Sequence, residues 1–372
     1  MNKIVLGTLF GDEGKGATVQ YLCKEELKYG VVPLVVRFSG GPQAGHRILH
    51  KGIDHVCSLT GSGVLLGCPT YLHKDVMIDP ISLMKEVESL NKFGIQPTIY
   101  INPYCRVIVP DDIYRNQINA KTLKDGTCGC GIFECFDRNR KHPDVLDNIA
   151  SATAAPKEYL NFVGNTANND EFIKACKWIN SNCGIRLLEE ISELYYSIIF
   201  EGSQGLLLDM DNGFMPNCTP SKVGLNGIPE EFLENAEVYL VMRSYLTRHG
   251  NGYEPIGEVF VREHFIGLEE PTNLDTGYQG KFKLGLLDLD LVNRAIDRHC
   301  LDNYQRVYNV KYNLVITHMD CSIYPDTLPA FFSDRVDYID IDRVIKYCSK
   351  YINISNTYLG LGPESEIYPY QR

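Results

Sequence analysis

The chain has 372 residues, which is long enough for one large α/β domain with a substantial core, so folding requires no disulfide or metal. Its 36 Lys and Arg residues are outnumbered by 47 Asp and Glu residues, and the formal net charge of −11 argues against a protein that binds nucleic acid through its phosphates. The 13 cysteines include no C-x-x-C pair, which argues against a zinc knuckle or a disulfide framework.

The apolar runs of the chain indicate where the protein is found. The N-terminal residues have neither the charge nor the apolar length of a signal peptide, and no stretch approaches the roughly 18 apolar residues of a membrane span. We therefore expect a cytoplasmic protein with reduced thiols and no membrane partner, located in the host cytoplasm if its source is a virus.

Short β-branched runs alternate with amphipathic helical segments along the chain. The clearest helix begins after Asp79, a suitable N-cap; Pro80 takes the first helical position, and apolar residues then recur every three positions. Strands are predicted over residues 3–6, 34–38, 98–102, 196–200, 238–242 and 313–317, and further helices over residues 143–152, 170–179, 185–194 and 288–299.

This order of elements predicts the α/β fold class, with a single doubly wound, mainly parallel sheet, helices on both faces and long active-site loops. Because repeats, low-complexity tracts and linkers are absent, we expect one domain over residues 1–372. The functional loops are predicted around residues 39–75, 119–143 and 243–286. Ligands of such a sheet bind where its strands end.

A glycine-rich segment follows the first predicted strand, and its sequence is GDEGKG, residues 11–16. Glycines at a strand-to-helix turn permit positive φ and close approach of a ligand, and the first N–H groups of the helix favour an anion. The spacing is not that of a P-loop, and Gly16 stands where Ser or Thr would bind magnesium. Asp12 beside a phosphate is favourable chiefly if it binds a cation or accepts a proton. The alternative is a glycine-rich turn with solvated charges.

Three further motifs each follow a predicted strand. His46 ends a loop of small residues, where an acid or hydrogen-bond donor could act near neutral pH, although a single histidine is usually structural. Gln204 carries a neutral amide that could donate to a developing oxyanion, although a surface amide in a turn is the commoner case. Asp320 could accept two hydrogen bonds from the edge of guanine, and a helix-capping role is an equal alternative.

Taken in order, the motifs GDEGKG, GGPQAGH, DPISLMKE, EGSQGLLLD and THMD followed by GLGP resemble those of adenylosuccinate synthetase over nearly the whole chain. The resemblance implies a C–N ligase that joins the amino group of L-aspartate to C6 of a 6-oxopurine nucleotide monophosphate. In this reaction a nucleoside triphosphate, ATP or GTP, first phosphorylates O6 to make it a leaving group.

The resemblance also implies the catalytic residues and a Mg²⁺ cofactor. Asp12 would remove the N1 proton of the purine and bind Mg²⁺, for which the carbonyl of Gly45 would be a second ligand. His46 would donate a hydrogen bond to the departing phosphate oxygen, and Gln204 would stabilise the charge on O6. The implied binding residues for the nucleoside triphosphate are Gly11, Glu13, Gly14, Lys15, Gly16, His318, Asp320, Gly362 and Pro363.

The other two substrates have their own implied sites. In the family an arginine reaches the monophosphate from the partner subunit, and Arg138 or Arg140 is the candidate here, so we expect a homodimer. L-aspartate would be bound by Thr276, Gly277, Lys281 and Lys283. The purine nucleotide would be bound by Gln43, Thr127, Cys128, Arg138, Arg140 and Thr219.

Departures from the family pattern bear on the substrates. Gln43 stands where the purine is normally contacted, and Cys128 replaces a hydroxyl and is a poor donor. Lys281 and Lys283 are the only cations in the aspartate loop, which is rich in arginine in the family, so the carboxylates must be held differently and the contact to the ribose 2′-OH is weakened. His318 replaces a lysine, which weakens the expectation of strict GTP dependence.

Together with these departures, the compact length, the sequence around GFMPNCTPS and the YLGLGPES ending resemble the viral 2-aminoadenylosuccinate synthetase (PurZ-type) branch. That branch uses dGMP in place of IMP, although Asp12 is retained here where the branch carries serine. We therefore expect GMP or dGMP as substrate and a diaminopurine precursor as product. The first alternative is the standard enzyme, which uses IMP and GTP. The second is an idle nucleotide-binding relative, which the survival of Asp12, Lys15, His46 and Gln204 disfavours.

Overall fold

The structure is a computed structural model that describes residues 2–119, 124, 126–141, 146–166, 169–268, 278–323, 327–362 and 366–371. Three residues of the predicted sites, Thr276, Gly277 and Pro363, lie outside this part of the chain. The strands are β1 (Lys3–Gly7), β2 (Leu34–Arg37), β3 (His46–His50), β4 (Ile53–Cys57), β5 (Thr70–Leu72), β6 (Met77–Ile78), β7 (Ile99–Ile101), β8 (Arg106–Val107), β9 (Gly184–Ile185), β10 (Ile198–Gly205), β11 (Glu237–Arg243), β12 (Tyr245–His249), β13 (Phe282–Asp288), β14 (Lys311–Thr317), β15 (Thr327–Phe332), β16 (Arg335–Asp340), β17 (Ile354–Leu361) and β18 (Glu366–Pro369).

The helices connect these strands and cover the sheet. They are α1 (Lys15–Lys28), α2 (Pro80–Asn91), α3 (Pro110–Ile118), α4 (Ile132–Lys141), α5 (Ile149–Ala154), α6 (Pro156–Phe162), α7 (Asp170–Asn182), α8 (Leu188–Ser192), α9 (Glu258–His264), α10 (Leu289–Arg298), α11 (Leu301–Tyr308) and α12 (Ile341–Cys348). None of the helices in the described residues combines the length and the apolar character that a membrane span requires.

A ten-stranded sheet with the order β18-β17-β14-β11-β1-β10-β2-β5-β7-β9 forms the centre of the fold. Its neighbouring strands pair in parallel, except that β18 is antiparallel to β17. The chain moves outward from β1 to β9, returns to β10 and β11 on either side of β1, and then extends the other half. The predicted doubly wound, mainly parallel sheet is confirmed.

Both faces of the central strand are buried, which is why β1 is a continuous apolar run. Ile4 and Leu6 point into one apolar cluster, whereas Val5 points into another that includes Val19 of α1. A strand with helices on both sides needs apolar residues at every position, so the hydrophobic run predicts a buried parallel strand.

The order in which strands are added to the sheet reverses at β1, and this fixes where ligands can bind. In a doubly wound sheet the loops after neighbouring strands diverge at this switch point and leave a crevice at the carboxyl ends. Here the segments at the ends of β1, β2, β10, β11 and β14 meet at that edge, and those at β1, β2, β10 and β14 contain sequence motifs.

Helix α2 confirms its predicted start. The carboxylate of Asp79 accepts hydrogen bonds from Ile81 N at 3.0 Å and from Ser82 Oγ at 2.5 Å, and Pro80 occupies the first turn. The predicted helices over residues 170–179 and 288–299 correspond to α7 and α10. Here the capping residue and the spacing of apolar positions were enough to place the elements.

Two predicted helices were too long. Over residues 185–194 only α8 is helical, because Gly184 and Ile185 form the edge strand β9 by pairing with Tyr100 and Ile101. Over residues 143–152 the helix begins only at Ile149, after the cap residue Asn148, while residues 142–145 lie outside the described chain. Tertiary pairing and capping decided these boundaries.

The predicted long loops contain secondary structure of their own. The region 39–75 includes the hairpin β3–β4, and the region 243–286 includes β12, α9 and β13. Strands β12, β13, β15 and β16 make a second, four-stranded sheet beside the carboxyl edge of the main one. All 13 cysteines are free thiols, while the single-domain organisation stays a prediction.

Candidate active site

A cavity of about 1080 Å³ lies at the carboxyl edge of the sheet. Its wall is built by the glycine-rich loop after β1, the loop before β3, the end of β10 and the loops after β11 and β14. The structure therefore brings together the motifs that follow these strands, although they are distant in the sequence.

The glycine-rich loop is shaped by left-handed backbone at three nearby residues. Gly11, Asp12 and Gly14 have φ values of 99°, 56° and 88°, and Gly14 caps α1. A Cβ atom at Gly16 would lie 2.8 Å from the Cβ of His46, so the close approach of this helix to the neighbouring loop requires glycine. This packing explains why the position lacks the Ser or Thr of a P-loop.

Lys15 and Glu13 form a buried pair beneath this loop. Lys15 Nζ lies 3.2 Å from Glu13 Oε2, both residues are about 3% exposed, and the other Glu13 oxygen accepts a hydrogen bond from Leu9 N. Both residues line the cavity. Glu13 therefore holds both the loop and the lysine side chain.

Asp12 makes two contacts that the sequence did not indicate. Its carboxylate Oδ2 lies 3.1 Å from Nε2 of His249, and its backbone carbonyl accepts a hydrogen bond from Arg243 Nε. Burial alone would raise the pKa of Asp12, but the hydrogen bond from His249 and the charge of Arg243 lower it to about 2. Asp12 is therefore ionised near neutral pH, as a metal ligand or a general base requires.

His46 begins β3 and is bound to a buried carboxylate. Its Nδ1 lies 2.5 Å from Glu201 Oε1, and since a carboxylate only accepts, this nitrogen carries the proton. Burial and the nearby Arg37 charge lower the pKa of His46, and Glu201 opposes them. The imidazole is thus oriented by Glu201, with Nε2 3.3 Å from Ser203 O.

Glu201 and Arg37 are site residues that the sequence analysis missed. Glu201 is fully buried and also accepts hydrogen bonds from the backbone and hydroxyl of Ser62. Burial would raise its pKa, but Arg37 and His46 lower it, so the group is charged. Arg37 donates to the carbonyls of Ala44 and Thr60. The glutamate in the EGSQG motif was the signal for this network.

Gln204 and Gln43 present amides at the cavity wall. Oε1 of Gln204 accepts a hydrogen bond from Ser203 Oγ at 2.6 Å, which orients the amide and leaves its NH₂ group to donate. Both amide atoms of Gln43 are buried and have no hydrogen-bond partner within the described part of the chain. Buried polar groups are normally satisfied, so these two atoms are an exception at the cavity wall.

The predicted monophosphate loop lies at the same cavity. Thr127, Cys128 and Thr219 all contribute to the wall. Thr127 Oγ1 donates to Asn116 Oδ1 at 2.7 Å and accepts from the backbone N–H of Gly129, which tightens the loop. Asn116 was not predicted from the sequence, because its role depends on contact between distant segments.

Arg138, one of the two arginines predicted to reach a partner subunit's monophosphate, is held by acids of its own chain. Its guanidinium is 12% exposed and pairs with Asp112 at 2.9 Å and with Asp147, while Nη2 donates to Val107 O. These bonds hold it within its own chain and against the core, which favours the other candidate for the role at a partner's phosphate. Arg140 is 66% exposed and remains the candidate for that role.

The predicted aspartate site is only partly described. Neither Lys281 nor Lys283 is among the residues that line the cavity, and Lys283 is paired with Glu254. Arg248, which the sequence analysis did not assign, lines the cavity instead. It is 7% exposed, packs over the ring of Phe10 at 4.9 Å, and makes no ion pair with any described residue. Its guanidinium donates to the backbone carbonyls of Asn217 and Asn251.

The predicted triphosphate residues His318, Asp320 and Gly362 also line the cavity. His318 has a φ of 58°, contacts Thr317 Oγ1 at 2.8 Å and meets the ring of Tyr245 edge-on. Burial and the Arg243 charge hold the pKa of His318 well below its ordinary value, so it does not replace the charge of a lysine. Asp320 is exposed at the rim.

The donors at the cavity fit Mg²⁺, which prefers oxygen ligands. The Asp12 carboxylate and the Gly45 carbonyl both belong to residues of the wall. A separate buried group formed by His55, Cys57 and Glu86 lies elsewhere, and its nitrogen and sulfur donors do not suit Mg²⁺. Asp12 and Gly45 therefore stay the predicted ligands.

A switch-point cavity with a glycine-rich loop, a buried lysine and an ionised aspartate defines a nucleotide-binding α/β protein. A family model described as adenylosuccinate synthetase matches residues 4–320. The adenylosuccinate synthetase of Thermodesulfovibrio yellowstonii is 29% identical over 283 residues, which cover 68% of this chain and 64% of that enzyme. The chain belongs to the adenylosuccinate synthetase family, whose members are C–N ligases.

Two solved structures have a similar fold. The fully ligated adenylosuccinate synthetase from Plasmodium falciparum has a TM-score of 0.72 and 18% sequence identity, and the match covers 99% of each chain. The cyanophage S-2L succinoaminodeoxyadenylate synthetase (PurZ), bound to dGMP and dATP as an energy donor, has a TM-score of 0.70 and 17% identity, covering 99% of this chain and 95% of the other.

Proposed function

We propose that this protein joins the amino group of L-aspartate to C6 of dGMP or GMP and so makes a 2-aminoadenylosuccinate precursor of a diaminopurine nucleotide. The observation that carries this proposal is the buried, unpartnered amide of Gln43 at the cavity wall. The cyanophage enzyme of similar fold is bound to dGMP, and we transfer this substrate class to the chain.

Gln43 can distinguish guanine from hypoxanthine because guanine carries a donor amino group at C2. The Gln43 carbonyl oxygen has no other partner among the described residues, and a buried acceptor without a partner costs about 1–3 kcal/mol. A 2-amino group would satisfy it, whereas IMP would leave it unpaired. This difference corresponds to a preference of roughly tenfold to a hundredfold.

The backbone around Gln43 is fixed before any ligand binds. Ala44 N donates to Gly41 O at 3.1 Å, and Ala44 O accepts from Arg37 at 3.0 Å. An amide on a rigid loop loses little entropy on binding, so its contribution to specificity is larger than that of a mobile side chain.

The cavity residues support a two-step reaction. Asp12 accepts the N1 proton of the purine, which makes O6 nucleophilic toward the γ-phosphoryl group that Lys15 and the N–H groups of the glycine-rich loop hold. Gln204 donates to O6 as charge develops, and His46 donates from Nε2 to the departing phosphate oxygen when the imidazole carries a proton on both nitrogens, a form that the Glu201 carboxylate stabilises. The amine of L-aspartate then displaces phosphate from C6.

Mg²⁺ would be held by Asp12 and the Gly45 carbonyl, and when bound it neutralises phosphate charge. The remaining assignments rest on the same cavity. Arg248 is the cation that we assign to a substrate carboxylate, because it is buried there without an ion pair among the described residues. We assign the exposed Arg140 to the monophosphate of a partner subunit, which requires a homodimer.

A deoxyribonucleotide is the preferred form in this proposal. No lysine of the described aspartate loop reaches the cavity wall, so this loop offers no cation to a ribose 2′-OH. In a pocket that makes no hydrogen bond to the 2′-OH, burial of this hydroxyl costs desolvation free energy and weakens binding of the ribonucleotide. The energy donor is ATP or dATP, since neutral His318 stands where GTP-dependent relatives carry lysine.

The second candidate is the standard reaction with IMP and GTP. The specific observation in its favour is Asp320, whose carboxylate lies at the cavity rim and could accept two hydrogen bonds from guanine of the triphosphate. The third candidate is a nucleotide-binding relative without activity, which would bind substrates and release no phosphate.

A substrate matrix separates these candidates. IMP, GMP and dGMP are each combined with ATP, dATP and GTP in the presence of L-aspartate and Mg²⁺, and both phosphate release and product mass are recorded. We expect turnover with dGMP and ATP or dATP. Turnover of IMP without detectable turnover of GMP or dGMP would overturn the proposal.

Variants of Gln43 test whether its amide recognises the 2-amino group of guanine. Gln43→Leu removes the acceptor, so the ratio of kcat/KM for dGMP to that for IMP should fall by about tenfold or more. Gln43→Glu keeps an acceptor oxygen and should retain more of the preference. An unchanged ratio in Gln43→Leu would show that another group recognises the 2-amino substituent.

A further inference from the structure

The glycine-rich loop is bound at Gly11 and Asp12 by side chains from residues 243–249. Arg243, at the end of β11, donates to the Asp12 backbone carbonyl, and His249, at the end of β12, contacts its carboxylate at 3.1 Å. Thr247 of the same strand donates to the carbonyl of Gly11 at 3.4 Å. Asp12 itself has a φ of 56°, a conformation that a non-glycine residue keeps only when its surroundings impose it.

The ring of His249 is held by the strand next to it. His249 and Phe282 are cross-strand partners in the β12–β13 pair, and their ring centroids are 4.9 Å apart. Gly250 N also donates to Lys281 O at 3.0 Å, which anchors the chain just beyond the histidine. The imidazole is therefore fixed by a sheet and can impose a direction on its partner.

We propose that His249 is a positioning residue that sets the orientation of the Asp12 carboxylate for proton removal. Its Nε2–H donates to Oδ2, so one oxygen is committed to the histidine. Within the described part of the chain, Asp12 has no other side-chain partner, and its second oxygen is left for the purine N1 and the cation. The inference rests on the proposed function, in which Asp12 is the base.

Orientation matters here because Asp12 is on a loop and its carboxylate could otherwise rotate. A general base must lie within hydrogen-bond reach of the proton and along its direction, and a displacement of about 1 Å can cost on the order of a hundredfold in rate. A structural role would instead change only stability. The two explanations differ in whether the effect of His249 passes through Asp12.

The test compares His249→Leu, which keeps bulk but removes the donor, with His249→Gln, whose amide nitrogen can take the place of Nε2. We expect His249→Leu to lower kcat with dGMP by tenfold to a hundredfold with little change in KM, and His249→Gln to restore most of it. His264→Leu is the matched control, because the ring of His264 also contacts a phenylalanine, Phe260, with centroids 3.9 Å apart, but lies outside the cavity.

A double-mutant cycle decides whether the effect passes through Asp12. In an Asp12→Asn background, His249→Leu should cause no further loss of kcat. Independent losses that multiply would overturn the inference, as would normal kcat in His249→Leu or equal losses in the leucine and glutamine variants.

Failure of the inference is distinguishable from failure of the proposed function. Full activity of Asp12→Asn would remove Asp12 as the base and with it the proposed mechanism. A large loss in Asp12→Asn together with normal kcat in His249→Leu would leave the mechanism in place and overturn only the role of His249.

Discussion

Nδ1 of His46 lies 2.5 Å from Oε1 of Glu201, a carboxylate that is completely buried. This contact joins the start of the β3–β4 hairpin to the middle of β10. It leaves only Nε2 of the imidazole for other partners. Because Arg37 supplies a compensating charge, Glu201 can stay ionised without solvent. We infer that this pair fixes the direction in which His46 meets a leaving phosphate oxygen.

The first prediction is that Glu201→Gln lowers kcat by on the order of a hundredfold, because the amide holds the imidazole less firmly and no longer fixes its tautomer. It should also reduce the free energy of unfolding, since the buried Arg37 guanidinium loses the carboxylate charge that compensates it. Steady-state kinetics and urea unfolding measure the two effects.

Glu86→Gln is the control for this prediction. Glu86 is also buried and accepts hydrogen bonds from the backbone N–H groups of Ser58, Leu59 and Thr60 at 3.2, 2.8 and 3.0 Å, but it does not line the cavity. The Glu86→Gln enzyme should have a lower free energy of unfolding and an unchanged kcat. A Glu201→Gln enzyme that loses stability but retains kcat would contradict the orienting role.

The second prediction concerns stability between pH 7 and pH 5. Burial lowers the pKa of His299, whose Nε2 donates to Leu206 O at 2.9 Å. A histidine with a folded-state pKa below its unfolded value of about 6.5 contributes stability above that pH, and the contribution is lost as the pH falls, by at most about 1.4 kcal/mol per pH unit. The unfolding free energy should therefore decline before the carboxylates titrate.

His299→Gln isolates this contribution, because glutamine keeps an N–H donor for Leu206 and does not titrate. We expect a smaller decline of the unfolding free energy between pH 7 and pH 5 than in the wild type, and equal slopes above pH 7.5. Identical pH profiles for the two proteins would show that His299 does not titrate differently in the folded and unfolded states.

The third prediction concerns Cys128 in the monophosphate loop. A thiol is a weaker hydrogen-bond donor to a phosphate than a hydroxyl, and the hydrogen bond from Cys130 lowers the pKa of the Cys128 thiol and so favours the thiolate, which donates none. Cys128→Ser should lower the KM for the nucleotide monophosphate by about threefold to tenfold with little change in kcat. Cys130→Ser, an adjacent change at the same wall, is the control, and an unchanged KM in Cys128→Ser would remove residue 128 from the phosphate site.

The strands and the best helix were predictable from sequence because local physics determines them. The run Ile4-Val5-Leu6 is apolar at every position since both faces of β1 are covered, and Asp79 with Pro80 defines the start of α2 by capping alone. Where an element depends on a distant partner, as in the pairing of Gly184 with Tyr100, the sequence pattern gave the wrong boundary.

The candidate site shows the same limit. His46 and Glu201 are separated by 155 residues, and they meet only because β10 inserts between β1 and β2. Motifs at strand ends identified the individual residues but not this strand order, so the partners Arg37, Glu201 and His249 could not be assigned. The sequence likewise left Arg138 and Arg140 as alternatives, because charge alone does not reveal whether acids of the same chain surround an arginine.

The fourth prediction separates the two arginines of α4. Arg138→Met leaves Asp112 and Asp147 without their buried cation, so the free energy of unfolding should fall by about 3–5 kcal/mol while the KM for the nucleotide monophosphate stays within about twofold. Arg140→Met should leave stability unchanged and raise this KM by about tenfold or more, because a charge-assisted bond to phosphate is lost.

Mixing Arg140→Met subunits with inactive Asp12→Asn subunits should restore part of the activity, since a mixed dimer would contain one site with both residues. A raised KM in Arg138→Met at normal stability would instead give Arg138 the phosphate role.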